Sequence, residues 1–145
     1  MDLQQPSLPA RPHVILTCMD PRIQPEALFE IEPGTANLLR NAGGRVTDDV
    51  LRSIAVCAAL MHTREVLVVH HTGCGMTLFT GDQIAAALRE RSGAQDAVDF
   101  LTIDDLDRSV REDVARIRGS ALVPRDVAVR GFVLDLDTGA LRPVS

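Results

Sequence analysis

Short apolar runs alternate along the chain with segments whose pattern predicts helices. The runs, which are typical of buried strands, cover residues 13–17, 36–40, 65–70, 127–134 and 140–144. The predicted helices cover residues 26–30, a stretch that begins at Thr47, and residues 82–91 and 104–118. Strands that alternate with helices and have continuous apolar centres indicate a mostly parallel central sheet flanked by helices on both faces. We therefore predict an α/β fold with residues 140–144 as a C-terminal edge strand.

The ends of the predicted helices carry recognisable start and stop residues. Pro25 suits a first helical turn, Thr47 can cap the second helix, and Gly93 closes the helix over 82–91. In that helix we expect Ile84 and Leu88 to face inward. The other two long helices each have one apolar face, made of Val50, Ile54, Cys57, Ala58 and Met61 in one and of Leu106, Val110, Val114 and Ile117 in the other. This pattern assigns Cys57 to the core.

The composition narrows the class of protein. A chain of 145 residues with 46% apolar residues suits one domain, which we assign to residues 13–145 after a loose arm over 1–12. The net charge is −5 and all fifteen basic residues are Arg, without a basic stretch interleaved with aromatic residues, so nucleic acid is not an expected partner. No apolar run approaches the ~20 residues that span a bilayer, and no secretory signal is visible. We expect a cytoplasmic protein that does not bind membranes.

Candidate chemistry lies where two predicted strands end. Cys18, Asp20 and Arg22 follow the first strand at a spacing of two, which on extended backbone points their side chains to one side. His71 and Cys74, three residues apart, follow the strand over 65–70, and the C-terminal ends of parallel strands meet at one edge of a sheet. Two thiolates and an imidazole form a zinc ligand set that keeps a fourth position open, as catalytic sites do. From spacing alone, two buried core cysteines remain an open alternative.

Three segments resemble the signature blocks of the β-class carbonic anhydrases. They are residues 18–22 (CMDPR), 40–43 (RNAG) and 70–75 (HHTGCG), and residues 131–139 (GFVLDLDTG) resemble the last-strand block of the short bacterial branch of that family. The resemblance implies reversible hydration of CO₂ to bicarbonate and a proton, with zinc-bound hydroxide as the nucleophile.

The resemblance also implies roles for individual residues. One zinc ion per chain would be bound by Cys18, His71 and Cys74, and Asp20 and Arg22 would form a catalytic pair. Asp20 could become a fourth zinc ligand in a closed state of the site. Because short members of the family place the active site at a dimer interface, we expect a homodimer or a tetramer.

The chain departs from the family pattern at several points. Gly73 stands where short-branch relatives commonly carry Asp, and the arm before the first strand is shorter than the N-terminal helices of many relatives. Trp and Tyr are absent, so we do not expect the regulatory bicarbonate pocket of some relatives. Aromatic residues make up only 3% of the chain, which favours a small substrate.

The four histidines are expected to differ in role. Neighbouring strand residues face opposite sides, so His71, three residues before Cys74, is the candidate ligand and His70 should point away into the packing. We expect His13 and His62, at the ends of elements, to be solvated.

Three other functions stay open. Carbonyl sulfide and carbon disulfide are linear analogues of CO₂ that some relatives hydrolyse on the same zinc framework. A thiol or redox enzyme would use Cys18 and Cys74, but the sequence has no C-x-x-C motif at a helix start. A non-catalytic zinc-binding module would need a fourth ligand but not the pair of Asp20 and Arg22.

Overall fold

The computed structural model describes residues 10–145, in which five strands form one sheet. The strands are β1 (His13–Cys18), β2 (Asn37–Asn41), β3 (Glu65–His71), β4 (Ala128–Leu134) and β5 (Leu141–Pro143), and their order across the sheet is β2-β1-β3-β4-β5. Neighbouring strands are parallel except for β5, which runs antiparallel to β4. The predicted mostly parallel sheet with a C-terminal edge strand is confirmed.

Within this range, five α-helices connect the strands: α1 (Pro25–Leu28), α2 (Asp48–Leu60), α3 (Gly75–Leu78), α4 (Gly81–Ser92) and α5 (Leu106–Arg118). The helix ends follow the sequence signals. The Thr47 hydroxyl accepts a hydrogen bond from the Val50 amide at the start of α2, and Gly93 adopts a left-handed conformation after α4. The sequence pattern does not predict α3, which is a single turn directly after Cys74.

Apolar side chains cover both faces of the sheet. On one face, α2 and α5 pack against the strands in a core that includes Cys57, as predicted. On the other face, α1 and its flanking residues cover a smaller core around Phe132. Gly131 lets α5 approach β4 closely, because a Cβ at this position would clash with Val110 and Val114. Burial of this apolar surface is the main driving force for folding, and it holds the strand ends in place.

Helix α4 departs from the prediction, because none of its residues is buried. Leu88 is 40% exposed and Ile84 is partly exposed, so the expectation that both face inward is wrong. The helical period locates an apolar face, but only contact with another element buries it. Together with Leu78 and Phe79, which are both more than half exposed, these two residues form an exposed apolar surface that we call the α4 surface.

The described end of the N-terminal arm is bonded to the body of the domain. The Arg11 amide donates to the Met61 carbonyl at 2.7 Å, and the Pro12 carbonyl accepts hydrogen bonds from the amides of Arg64 and Glu65. The rest of the predicted loose arm, residues 1–9, lies outside the described residues, so that part stays a prediction. No helix in the described part of the chain is long and apolar enough to cross a membrane.

Candidate metal centre

Three metal-ligating side chains meet at the C-terminal edge of the sheet. Cys18 is the last residue of β1, His71 is the last residue of β3, and Cys74 directly precedes α3. One donor atom from each lies within 4.8 Å of the other two, and the two Sγ atoms are 3.9 Å apart. Two thiolates bound at ~2.3 Å to one tetrahedral zinc would be about 3.8 Å apart. These three side chains, which we call the Cys-His-Cys cluster, therefore converge on a volume that suits one metal ion.

The hydrogen bonding of His71 leaves one ring nitrogen free for a metal. Its Nδ1 lies 2.7 Å from the Thr72 carbonyl, which can only accept, so Nδ1 carries the proton. The Nε2 atom is buried and has no hydrogen-bond partner among residues 10–145. Burial also lowers the pKa of the ring, which favours its neutral form. A buried nitrogen with a free lone pair beside two thiols fits a zinc site and does not fit an apolar core.

The surroundings of Cys74 disfavour a free thiolate. Both side chains are buried and neither is in a disulfide. Burial, together with the neighbouring Cys18, raises the pKa of the Cys74 thiol to about 11. A catalytic thiol needs a lowered pKa, so Cys74 does not fit the nucleophile of a thiol or redox enzyme. A divalent cation reverses the balance, because it stabilises the deprotonated form of the thiols that bind it.

Asp20 and Arg22 form a closely bonded pair beside the cluster. Arg22 donates from Nη2 to Asp20 Oδ2 at 2.7 Å, from Nε to Oδ1 at 3.0 Å and from its amide to Oδ1 at 2.9 Å. The side-chain hydrogen bonds from Arg22 hold the pKa of the Asp20 carboxyl well below its usual range. The carboxylate is therefore ionised at neutral pH, and it is engaged by Arg22 and does not join the Cys-His-Cys cluster.

The turn after β2, residues 42–44, holds Cys18 from a second direction. The Gly43 amide donates to Cys18 Sγ at 3.4 Å. Gly44 lies against the backbone of β1, where a Cβ would come within 2.9 Å of the Cys18 nitrogen. Gly44 also has a φ of +67°, a left-handed conformation that favours glycine. No other residue fits this close approach without displacing the backbone next to the cluster.

Arg40 contacts the same backbone from β2. Its guanidinium donates to the backbone carbonyls of Cys18 at 3.0 Å, Asp20 at 2.6 Å and Ile23 at 3.2 Å. The sequence pattern assigned Arg40 no role, although it begins the 40–43 block. Only the pairing of β2 with β1, which sets Arg40 opposite Thr17, brings it to these carbonyls.

His70 points away from the cluster, as predicted. It is fully buried, its Nδ1 lies 2.7 Å from Ser109 Oγ, and its Nε2 lies 3.1 Å from Asp113 Oδ2. The Asp113 carboxylate also accepts a hydrogen bond from Arg45 Nε at 2.8 Å. These four residues form a buried polar network that joins β3, α5 and the segment after β2.

The two remaining histidines lie at the surface, as expected. His62 is exposed in the connection between α2 and β3, and the His13 side chain is 35% exposed. His13 begins β1, whereas Cys18 ends it, so His13 lies at the opposite edge of the sheet. Neither histidine contributes to the Cys-His-Cys cluster.

Comparison with known proteins identifies the family. The sequence model of the carbonic anhydrase family matches residues 13–141. A relative, β-carbonic anhydrase 1 of Mycobacterium tuberculosis (strain H37Rv), is 37% identical over 140 residues, which are 97% of this chain and 86% of the relative. The chain belongs to the β-carbonic anhydrase family. Among solved structures, a carbonic anhydrase from Streptococcus mutans matches this β-carbonic anhydrase with a TM-score of 0.90 at 39% identity, covering 97% of this chain and 86% of that one.

Other relatives of this β-carbonic anhydrase are named for a different substrate. The carbon disulfide hydrolase of Acidianus sp. (strain A1-3) is 34% identical in an alignment of 152 positions, gaps included, that covers 88% of this chain and 74% of that protein. The apo form of a carbon disulfide hydrolase matches with a TM-score of 0.85 at 32% identity, covering 96% of this chain and 81% of that one. Family membership therefore settles the fold, and the names of the relatives leave CO₂ and carbon disulfide as the candidate substrates.

Proposed function

We propose that this β-carbonic anhydrase is a zinc enzyme that catalyses the reversible hydration of CO₂ to bicarbonate and a proton. The observation that carries the proposal is the Cys-His-Cys cluster, with the free nitrogen of His71, beside the ionised pair of Asp20 and Arg22. The 37% identity to a β-carbonic anhydrase of M. tuberculosis supports CO₂ as the substrate.

The residues of the site divide into zinc ligands and an orienting pair. Cys18, His71 and Cys74 would hold one zinc ion per chain as two thiolates and a neutral imidazole. When bound, zinc acts as a Lewis acid that lowers the pKa of a water molecule toward neutrality. Asp20, ionised and fixed by Arg22, can accept a hydrogen bond from the attacking water and so orient its lone pair toward CO₂.

Asp20 has a second candidate role as a fourth zinc ligand. To take that role, its carboxylate would have to leave Arg22 and lose the hydrogen bonds at 2.7 and 3.0 Å. Arg22 competes well with zinc for this carboxylate, because a planar guanidinium binds a carboxylate through two parallel hydrogen bonds. With Asp20 bonded to Arg22, the three residues of the Cys-His-Cys cluster would hold zinc and would leave one position for water. We therefore propose that Arg22 keeps the site open.

Hydrolysis of carbon disulfide or carbonyl sulfide is the second candidate function. The relatives named carbon disulfide hydrolase support it, at 34% identity for the Acidianus protein. Both substrates are linear analogues of CO₂, so the same ligands and orienting pair would serve them. We place CO₂ first because the chain spans 86% of the M. tuberculosis carbonic anhydrase and 74% of the Acidianus hydrolase. A non-catalytic zinc module is less well supported, because it has no use for an Asp–Arg pair beside its ligands.

Zinc content and CO₂ hydration, measured on one preparation across pH, test the proposal. We expect one zinc ion per chain and hydration activity in the unaltered protein. Cys74→Ser removes a thiolate and should lose most of the zinc and all activity. Cys57→Ala, which changes a cysteine in the core, is the matched control and should keep both.

The same preparation separates the two candidate substrates. Stoichiometric zinc in Cys74→Ser would contradict the ligand assignment. Hydrogen sulfide release from carbonyl sulfide or carbon disulfide, without hydration of CO₂, would assign the second function in place of the first. Zinc without either activity would favour the non-catalytic module.

We also propose that the working unit is a homodimer, alone or paired into a tetramer, in which a second copy covers the α4 surface. Leu78, Phe79 and Leu88 on that surface are apolar and exposed, and α3, which carries Leu78, starts directly after Cys74. A second copy placed here would remove this apolar area from water and add a wall beside the cluster. Sedimentation of the active protein at micromolar concentration tests the proposal, and a fully active monomer would contradict it.

A cytoplasmic location is the last element of the proposed function. All three cysteines are free, and the thiols of Cys18 and Cys74 are 3.9 Å apart. A reducing compartment would keep such a thiol pair available for zinc, whereas an oxidising one would favour a disulfide. Fractionation of source cells, with the protein detected in each fraction, tests the location.

A further inference from the structure

The loop between β1 and α1 carries both a zinc ligand and the orienting pair. It leaves the sheet at Cys18, passes through Asp20 and Arg22, and reaches Ile23 before α1. Two backbone hydrogen bonds stabilise it, from the Met19 amide to the Asn41 carbonyl at 2.8 Å and from the Ile23 amide to the Asp20 carbonyl at 3.2 Å. Its first side chain, that of Met19, is 64% exposed and does not anchor it. The Ile23 side chain, which is 3% exposed, anchors the far end of the loop. The position of Asp20, between these two residues, therefore depends on contacts from outside the loop.

Arg40 supplies three such contacts with one guanidinium. Nε donates to the Cys18 carbonyl at 3.0 Å, Nη2 to the Asp20 carbonyl at 2.6 Å, and Nη1 to the Ile23 carbonyl at 3.2 Å. All three nitrogens are thus directed at carbonyls spread along the whole loop. The planar guanidinium fixes the relative directions of these donors, whereas a lysine ammonium is a single point charge that cannot span the three carbonyls.

We infer that Arg40 is a positioning residue that holds the loop after β1 so that Asp20 faces the metal centre. Arg22 orients the Asp20 carboxylate, while Arg40 fixes the backbone from which that carboxylate extends. Displacement of a reacting or orienting group by about 1 Å can cost a hundredfold in rate. Arg40 makes no contact with the ligand atoms themselves, so its loss should leave zinc bound. The inference rests on the proposed catalytic role of Asp20.

A double-mutant cycle separates positioning from a general structural role. Arg40→Met removes all the donors and keeps the aliphatic stem, and we expect kcat for CO₂ hydration to fall about 10–100-fold at unchanged zinc content. The kcat of Arg40→Lys should fall as well, because lysine keeps the charge but lacks the planar guanidinium that spans the three carbonyls. Arg52→Met, at an exposed arginine whose ion-pair partner among residues 10–145 is Asp49, is the control and should keep the full rate.

Asp20 provides the second arm of the cycle. If Arg40 acts through Asp20, Arg40→Met should slow the Asp20→Ala protein no further, because residues that act as one unit are not additive. Slowing by the same factor in both backgrounds would overturn the inference, and so would a full rate in both Arg40 variants. Full activity in Asp20→Ala alone would instead contradict the proposed function.

Amide hydrogen exchange in the metal-free protein gives a readout independent of activity. In Arg40→Lys and Arg40→Met, the Met19 and Ile23 amides should exchange faster, while the amides of α5 keep the rates of the unaltered protein. Unchanged exchange in the loop would overturn the inference, whatever the activity of Asp20→Ala. If Arg40→Met fails to fold, Arg40→Lys alone is used for the test. Faster amide exchange in α5 of Arg40→Lys would assign Arg40 a general structural role and would also overturn the inference.

Discussion

Removal of the Asp113 carboxylate should show how much the buried network contributes to stability. Asp113 is 3% exposed, accepts hydrogen bonds from Arg45 Nε at 2.8 Å and Nη2 at 3.3 Å, and lies 3.1 Å from His70 Nε2. In Asp113→Ala, the Arg45 guanidinium stays in the interior without this partner, since Arg45 is only 6% exposed. Truncating one member of a buried pair costs up to about 3–5 kcal/mol when the other charge remains buried and uncompensated. Arg45 keeps one weaker partner, Glu112, whose Oε2 lies 3.7 Å from Arg45 Nη2.

Thermal unfolding of the metal-free protein measures this loss. For a chain of this size, 1 kcal/mol shifts Tm by about 2–4 °C, so Asp113→Ala should lower Tm by up to roughly 6–20 °C. Asp113→Asn keeps an acceptor without the charge, so its Tm should lie between the Tm of the unaltered protein and that of Asp113→Ala. The control is Asp107→Ala on the same helix, because the pair of Asp107 with Arg142 is solvent-exposed and such pairs are worth ~0–1 kcal/mol. A loss in Asp113→Ala no larger than that of the control would refute the reasoning.

The buried pair of Asp113 with Arg45 makes the free energy of unfolding depend on pH. Burial would raise the pKa of Asp113, but hydrogen bonds from His70 and Arg45 outweigh it and hold that pKa below its usual value. A carboxyl with a lowered folded pKa contributes stability that is present above its unfolded pKa of ~3.9 and is lost as the pH falls through the folded value. The difference in unfolding free energy between the unaltered protein and Asp113→Asn should stay constant from neutral pH to about pH 5 and shrink only below about pH 4. Denaturant unfolding across this range checks the sign, and a difference that shrinks before pH 5 would assign the effect to another group.

Two further predictions concern the orienting pair and the assembly. Arg22→Ala frees Asp20 to bind the metal, so zinc content should stay normal while CO₂ hydration falls about a hundredfold, and the double variant with Asp20→Ala should be no slower than the slower single one. Near-normal rates in Arg22→Ala would remove the pair from the mechanism. Leu88→Glu should shift the protein toward monomers in sedimentation, whereas Leu122→Glu, at an apolar residue 59% exposed away from the α4 surface, should not. Equal behaviour of the two would exclude the α4 surface from the interface.

The approach of Cys18 to His71 could be predicted because it follows from local rules. Each residue lies at the end of a continuous apolar run, and the pairing of parallel strands brings such ends to one edge of a sheet. The alternation of side chains along a strand also separates His71 from His70 without knowledge of their neighbours. The position of Cys74 depends on more than spacing, since the chain turns at Gly73, which has a φ of +64°.

The network around Asp113 could not be predicted, because its partners come from distant parts of the chain. Arg45 is 68 residues away from Asp113 and His70 is 43 residues away. One feature of the sequence did indicate the network. Ser109 and Asp113 lie one helical turn apart beside the apolar face of α5, where a polar side chain is buried and needs a hydrogen-bond partner. Helix α4 is the converse case, because its apolar pattern is plain but no element in the described part of the chain buries it. In both cases the missing information is the partner, which local periodicity does not contain.

Residues 40–45 connect the metal centre to the stability of the domain. At its start, Arg40 donates a hydrogen bond to the loop that carries Asp20. In its middle, the Gly43 amide donates to Cys18 Sγ, and at its end Arg45 is paired with Asp113. Gly44 leaves no space for a Cβ between this segment and β1, so the segment already lies as close to β1 as the backbone allows. Variants at its two ends should therefore differ in kind. Loss of the Asp113 pair should lower the stability of the whole domain, whereas loss of Arg40 should loosen only the loop after β1 and slow catalysis.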